Sequence, residues 1–443
     1  MGDRRRRRRL TAVATVAGLM FGAAACGSGS DSAGGGDPNT LEVWTRSNPD
    51  SAATYDRVFA AFTKETGIKI DYQPVINFDQ QLQSRASTKD LPDVMINDTA
   101  LMGSYQSQGL LKPIAADSIT GSDRITDKTW STTVGIDGKH YGIPYSRQAQ
   151  TLMIRKDWLK KLGLKAPTTW QEMLTVAQAF ATEDPDGDGK ADTYGIVAPG
   201  SAQNGYAAWW GASFLWQGGA KIIDKDGDGY RPTMDSAAAV NTVTWMKNNL
   251  FCGKENILQP GAITAVTSTA TNFQDGNAGM YMTGPYNITT FDATPGKDKY
   301  EVVPAPAGPA GSDVLADGEN IYFGARTGKT KQEQALAAFL VSAEGQKIAM
   351  TSVDGHQPVV RIPVNSTLDA AEVRDDARWS VVQKAYEDTS EQFPNAPDFA
   401  PIKQDTADAL NAIFTYCGSD VSSSLKELND TLAGDLKDQD LLK

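Results

Sequence analysis

Histidine and cysteine are scarce in this chain: two His and three Cys among 443 residues. No Cys-x-x-Cys pair or Cys/His cluster is present, which excludes a zinc-organised domain. His140 and His356 have no nucleophile or second ligand at motif spacing, and neither Gly-x-Ser-x-Gly nor His-Glu-x-x-His occurs. Long apolar runs are missing as well. The stretch Leu10 to Phe21 is too short for a permanent membrane span. Positive charge is also in deficit, with 42 Lys+Arg against 54 Asp+Glu. Such a surface argues against nucleic acid and anionic headgroups as partners. No internal repeat is visible, and 40% hydrophobic content over this length is enough for two sizeable cores.

What basic charge there is gathers at the start. Arg4 to Arg9 precede the apolar Leu10 to Phe21, and Ala23-Ala24-Ala25-Cys26 closes the segment with small residues. Residues 1–25 read as an export leader, and the cleavage site before Cys resembles a bacterial lipobox. Cys26 is therefore expected to be lipidated. Residues 26–39, rich in Gly and Ser, are expected to form a flexible tether to the outer face of the cell membrane. The alternative is plain secretion with Cys26 free. Removing residues 1–25 takes away six Arg and one Asp, leaving 36 basic and 53 acidic side chains and a net charge of −17.

Downstream the pattern is strand, helix, strand, helix, strand: Leu41 to Trp44, Tyr55 to Thr66, Ile68 to Tyr72, Phe78 to Ser87 and Leu91 to Ile96. This order predicts a parallel sheet with right-handed crossovers, whose carboxyl ends are where ligands bind. Trp44, Arg46, Asn97 and Asp98 occupy those ends. Helices are expected at Trp170 to Thr182, Ser236 to Leu250 and Thr330 to Val341, the last with a Thr330/Glu333 capping box, and at three places after Arg374. Gly324 to Thr330 has one residue too few between its glycines for a phosphate loop, which sets ATP binding aside.

The segment Tyr141 to Trp170 reads as strand, strand, helix closed by Gly163, then Pro167 and a new helix. Its phrases Gly142-Ile-Pro144, Ile154-Arg-Lys-Asp157 and Pro167-Thr-Thr-Trp170, with Phe273-Gln-Asp-Gly-Asn-Ala278 through Gly284-Pro-Tyr286, resemble the carbohydrate-binding group of bacterial ABC-importer solute-binding proteins. The resemblance covers nearly all the chain after the tether. It implies a two-lobed α/β periplasmic-binding-protein-like fold, each lobe a mostly parallel sheet flanked by helices. Lobe I would take 40–145 and 304–343, lobe II 146–303 and 344–443. The three crossings would lie near Pro144 to Arg147, Val303 to Pro309 and Val341 to Gly345. It further implies a monomer that holds a saccharide in the cleft and delivers it to the permease subunits. The resemblance would also place Cys252 and Cys417 in one lobe; whether they pair stays open.

Sugars offer flat apolar faces edged by hydroxyls, so aromatic rings and hydrogen-bonding side chains are the candidates. Trp209, Trp210 and Trp216 lie in a stretch with five large aromatics in eleven positions. Resemblance gives Tyr286 the stacking role after its Gly-Pro turn. Tyr145, Arg147, Glu319 and Asn320 stand at lobe crossings or strand ends, although each polar residue could equally be a cap or turn. Asp184, Asp186, Asp188, the Lys190 carbonyl and Asp192 take EF-hand-like positions, which predicts a structural Ca²⁺. Gly195 stands at the position of the bidentate carboxylate, and Thr193 stands where the calcium loop of the oligosaccharide-binding members, which this segment resembles, has its last acidic ligand. Asp224 to Asp235 repeats the opening but is interrupted by Pro232. A glycan-active enzyme and an osmolyte or peptide binder are the competing readings.

Overall fold

The computed structural model describes residues 37–88 and 90–443; the expected leader, Cys26 and most of the tether lie outside the described residues. The first strands, β1 (Thr40–Thr45), β2 (Lys69–Pro74) and β3 (Val94–Asp98), pair in parallel as β2-β1-β3. The linking helix Pro49–Thr66 starts at Asn48, whose side chain accepts from Ser51 N, with Pro49 in its first turn. It ends at Gly67, whose φ of 73° is left-handed.

The strands β4 (Ile143–Ala149) and β5 (Thr151–Arg155) are separated only by Gln150, yet they belong to different sheets. Between them and the long strand come β6 (Tyr194–Val197), the hairpin β7 (Ile223–Asp226) and β8 (Gly229–Pro232), β9 (Ala278–Thr283) and β10 (Tyr300–Val303). The chain then runs into β11 (Val314–Phe323), β12 (Ile362–Pro363) and β13 (Ser390–Glu391). The first sheet is ordered β12-β4-β11-β3-β1-β2, with β13 beside β11; the second is β10-β5-β9-β6. Both sheets are mixed. Among the named strands, parallel pairing is confined to β1–β2, β1–β3, β6–β9 and β11–β13, and the returning strand β11 enters antiparallel to both β3 and β4.

The crossings differ from expectation in two places. Pro144 to Arg147 lie within β4 and pair with β11, so the first passage is Gln150 itself. Its backbone N–H donates to Leu315 O at 2.9 Å, and its side-chain oxygen accepts from Ser213 Oγ at 2.6 Å. The return lies in residues 304–313. Val341 to Gly345 is a helix junction capped by Ser342 and not a passage. Buried Gln346 holds that region to the first lobe by donating to Tyr145 O and Leu340 O and accepting from Val364 N. The chain leaves the first sheet only after β13. The helix Phe399–Thr415 then packs on the helix Tyr206–Gln217 of the second lobe.

Smaller expectations shift too. The helix Thr330–Val341 has no capping box, since Glu333 is wholly buried and accepts from Lys112 Nζ at 2.6 Å. The second Asp-rich repeat is a plain hairpin in which Asp224 binds Lys221 at 2.9 Å. Cys252 and Cys417 are joined by a disulfide with Cα atoms 5.6 Å apart, which fastens the end of the Phe399–Thr415 helix to the turn Lys247–Phe251. The bond closes a loop with a sequence separation of 165. Opening it enlarges the unfolded ensemble, so C252S/C417S should lose about 2–4 kcal/mol. Denaturant unfolding of the variant against the oxidised chain measures this.

Candidate functional site

A cavity of about 370 Å³ lies between the two lobes. Carboxyl ends of parallel strands bring the first residues to it. Arg46 follows β1, its N–H donating to Ile96 O at 3.1 Å, and Asp98 ends β3. Their side chains meet at 2.6 Å. On β4 and β11 the two-residue period decides which side chains face the cavity. Ser146 and Gln148 do so from β4, Asp317 and Glu319 from β11. Gly318 sits between the two acids because a Cβ there would come within 2.1 Å of the backbone oxygen of Ser146 on the neighbouring strand. The second lobe contributes Asn204, Tyr206, Trp209, Tyr286 and Lys403, and Phe393 and Arg361 come from late in the chain.

The acids of the cavity are held in unequal states. Gln148 Nε2 donates to Asp317, and Tyr55 OH donates to Glu319 Oε2 at 3.1 Å. Burial, reinforced by Asp98, pushes the Asp317 carboxyl up to about 6. Burial likewise raises Glu319. Arg46 is held more firmly charged by Asp98, whereas burial lowers Arg361 and Lys403. Arg361 Nη1 is enclosed without a hydrogen-bond partner among the described residues. The aromatic wall is built by close approach: Trp209 stands edge to face with Tyr206 at 6.4 Å. The Tyr286 ring folds over Gly284, where a Cβ would come within 2.4 Å of it, and its hydroxyl accepts from Thr283 at 3.2 Å.

The cavity thus gathers Arg46, Asp98, Trp209 and Tyr286 from the expected set. The remaining members are elsewhere, for identifiable reasons. Tyr145 and Arg147 point to the opposite side of β4 from Ser146 and Gln148. Tyr145 packs on Tyr55 at 6.2 Å, and Arg147 is fully buried, donating to Ser146 O, Glu319 O, Thr132 Oγ1 and Asn320 Oδ1. Asn320, past a β-bulge at Glu319/Asn320, serves that same network. Trp44 is buried in a first-lobe cluster, its Nε1 donating to Glu42 at 2.9 Å, and Asn97 donates to Tyr105 OH at 2.7 Å. Trp210, one position round the helix from Trp209, packs on Phe214 at 4.8 Å. Trp216 stands behind the lining residue Phe393 at 5.8 Å.

Asp184, Asp186 and Asp188 converge, one carboxylate oxygen from each lying within 4.8 Å of the others. Asp192 is outside that group, 4.0 Å from Lys190 Nζ, and Thr193 Oγ1 turns inward to donate to Phe180 O. The all-oxygen set suits a hard cation, with three converging carboxylates where the sequence offered four.

Raising the Asp317 value above the ordinary aspartate value of about 3.9 means that the folded state holds its proton longer than the unfolded state. Stability therefore falls as pH rises from about 4 to 6, by on the order of 2–3 kcal/mol from this group. D317N should remove that slope, read as the difference between wild-type and variant urea unfolding from pH 4 to 7.

Residues 47–347 match the bacterial extracellular solute-binding protein family. The polygalacturonan/rhamnogalacturonan-binding protein YtcQ of Bacillus subtilis (strain 168) is 28% identical over 301 residues, which take in 64% of this chain and 59% of that relative. The chain thus spans less than two thirds of that relative's length. Among solved structures, the GacH receptor of Streptomyces glaucescens, described unliganded and with acarbose, superposes with a TM-score of 0.74 at 20% identity, covering 90% of this chain and 98% of that one. Maltose-bound MalE3 of T. maritima gives a TM-score of 0.74 at 19% identity, covering 90% and 100%. With the family match running through both lobes and the two-lobed fold shared with these structures, the chain belongs to the bacterial extracellular solute-binding proteins.

Proposed function

We propose that this protein is the substrate-binding component of an ABC sugar importer, closing its lobes on a mono- or oligosaccharide and presenting it to the permease. The observation that carries the reading is the pairing of two unlike walls around one cavity. One lobe supplies the rings of Trp209 and Tyr286; the other supplies the hydrogen-bonding edge of Arg46, Gln148, Asp317 and Glu319. Rings can stack on a pyranose face while carboxylates and the guanidinium bind its hydroxyls. Closure follows when a ligand touching both walls favours the shut state by its differential affinity. The saccharides named for the relatives support the reading. Lipidation at Cys26, a monomeric state and residence on the outer face of the membrane belong to the same proposal. Among the described residues no helix is long and apolar enough to cross a membrane.

The carboxylates around the cavity also suit a glycan hydrolase in composition. Against that, Asp98 is engaged by Arg46 and Glu319 by Tyr55. A thermal-shift screen over a glycan panel should give stabilisation by particular saccharides and no release of reducing ends; steady turnover, or stabilisation by osmolytes or peptides only, would defeat the proposal. W209A should weaken the bound saccharide by on the order of tenfold to a hundredfold in calorimetry.

The loop Asp184 to Asp192 is proposed to hold Ca²⁺ in a structural role, through the carboxylates of Asp184, Asp186 and Asp188 with the Lys190 carbonyl and Asp192 as further ligands. Bound calcium would neutralise carboxylates that otherwise repel one another at the end of the helix Trp170–Thr182. Chelator should lower the melting temperature by a few degrees, and D184N/D188N should lose that response.

A further inference from the structure

The two walls of the cavity are unequal in charge. The first lobe lines it with three carboxylates, Asp98, Asp317 and Glu319, against two guanidiniums, Arg46 and Arg361, an excess of one negative charge. From the second lobe the lining is Asn204, Tyr206, Trp209, Tyr286 and Lys403, so Lys403 is its single ionised lining group among the described residues. Neutrality of the shut cavity is reached only when Lys403 joins the first-lobe wall.

Lys403 is placed for that role. It sits in the first turn or two of the helix Phe399–Thr415, which is tied to the second lobe by Asn411 donating to Gly200 O and Ile263 O, both at 2.7 Å, and by Gln404 donating to Ala202 O at 2.8 Å. Its methylene stem lies along Gly205. A Cβ at that position would meet Lys403 Cε at 2.7 Å and Cγ at 3.0 Å, and the φ of 74° there is left-handed. The stem is thereby steered toward the cavity. Its ammonium has no ion pair within 4.0 Å among the described residues, while the first-lobe carboxylates Asp98, Asp317 and Glu319 line the same cavity. Some ion pairs of this protein, such as Lys426 with Asp430 at 3.0 Å, join neighbours on one element and others, such as Arg378 with Asp292 at 2.6 Å, join separate segments away from the cavity; Lys403 lines the cavity itself, opposite the first-lobe wall.

We propose that Lys403 is the second lobe's electrostatic closing contact, balancing the acid excess of the first-lobe wall and thereby selecting an uncharged saccharide. The selectivity half rests on the sugar-binding reading; the closing half does not. With the balance struck by the protein, a ligand carboxylate or ammonium would leave one buried charge unpaired, which costs several-fold to a thousandfold in affinity.

Small-angle scattering of the ligand-free full chain tests the closing half. Wild type should expand between 0.05 and 1 M NaCl, since about 1 M salt cuts the screening length to roughly 3 Å. K403M, which keeps the stem on Gly205, should be expanded already at low salt and insensitive to it; K403R should behave as wild type. Calorimetry with maltotriose and with the glucosamine trimer tests selectivity. K403M should bind maltotriose on the order of tenfold more weakly and shift its preference toward the aminated trimer. Scattering and preference both unmoved in K403M, with wild-type melting, would overturn the inference. Scattering shifted as expected, but no heat from any saccharide, would uphold the Lys403 contact and overturn the sugar reading instead.

Discussion

Everything in this molecule depends on how a continuous chain passes between two sheets without giving either up. At the first passage one residue does it. Gln150 has its N–H on Leu315 O, and its side-chain oxygen accepts a hydrogen bond from Ser213, whose own hydroxyl oxygen accepts from Leu315 N at 2.9 Å. The outgoing and returning segments are therefore held together by a helix of the second lobe. Gln150 and Ser213 are both buried, so water cannot substitute for these bonds, and the Gln150 side-chain N–H₂ is enclosed with no partner among the described residues. A pivot with strong bonds and one unmet donor is stiff in position and has a reason to rearrange.

The cavity follows from that arrangement. Paired as neighbours in the first sheet, β4 and β11 deliver alternate residues to the gap: Ser146 and Gln148 from one, Asp317 and Glu319 from the other. The intervening residues go to the far side, where Arg147 is consumed by four hydrogen bonds. Acidic groups this enclosed are tolerated because each has an adjacent donor or cation, although burial, reinforced by Asp98, still pushes the Asp317 carboxyl up to about 6.

Local signals in the sequence carried the strand and helix segments well. Phe78–Ser87, Trp170–Thr182 and Thr330–Val341 fall where periodicity placed them, with a side-chain cap at Thr169 and none of the capping box expected at Thr330. The site was legible where a residue sits at a strand end or after a special turn, as with Arg46, Asp98 and Tyr286. It was not legible where the face of a strand mattered, because Pro144 to Arg147 offers polar and apolar residues on both sides and nothing in the order says which side is the gap. Arg361, Phe393 and Lys403 were beyond reach for another reason: they arrive at the cavity from parts of the chain that follow it by long return paths. The late exit at β13 was hidden because two-residue strands leave no periodicity.

That late exit has a consequence for the order in which the molecule can be completed. The first sheet draws on residues from Thr40 to Glu391, and the second lobe is interleaved inside that span and resumes after it. Neither half is a contiguous module that could be excised, swapped or matured alone. A chain emerging from its amino end must hold β3 as an unfinished edge until β11 has emerged, and β4 and β11 gain β12 and β13 only later, so assembly of the two halves is coupled.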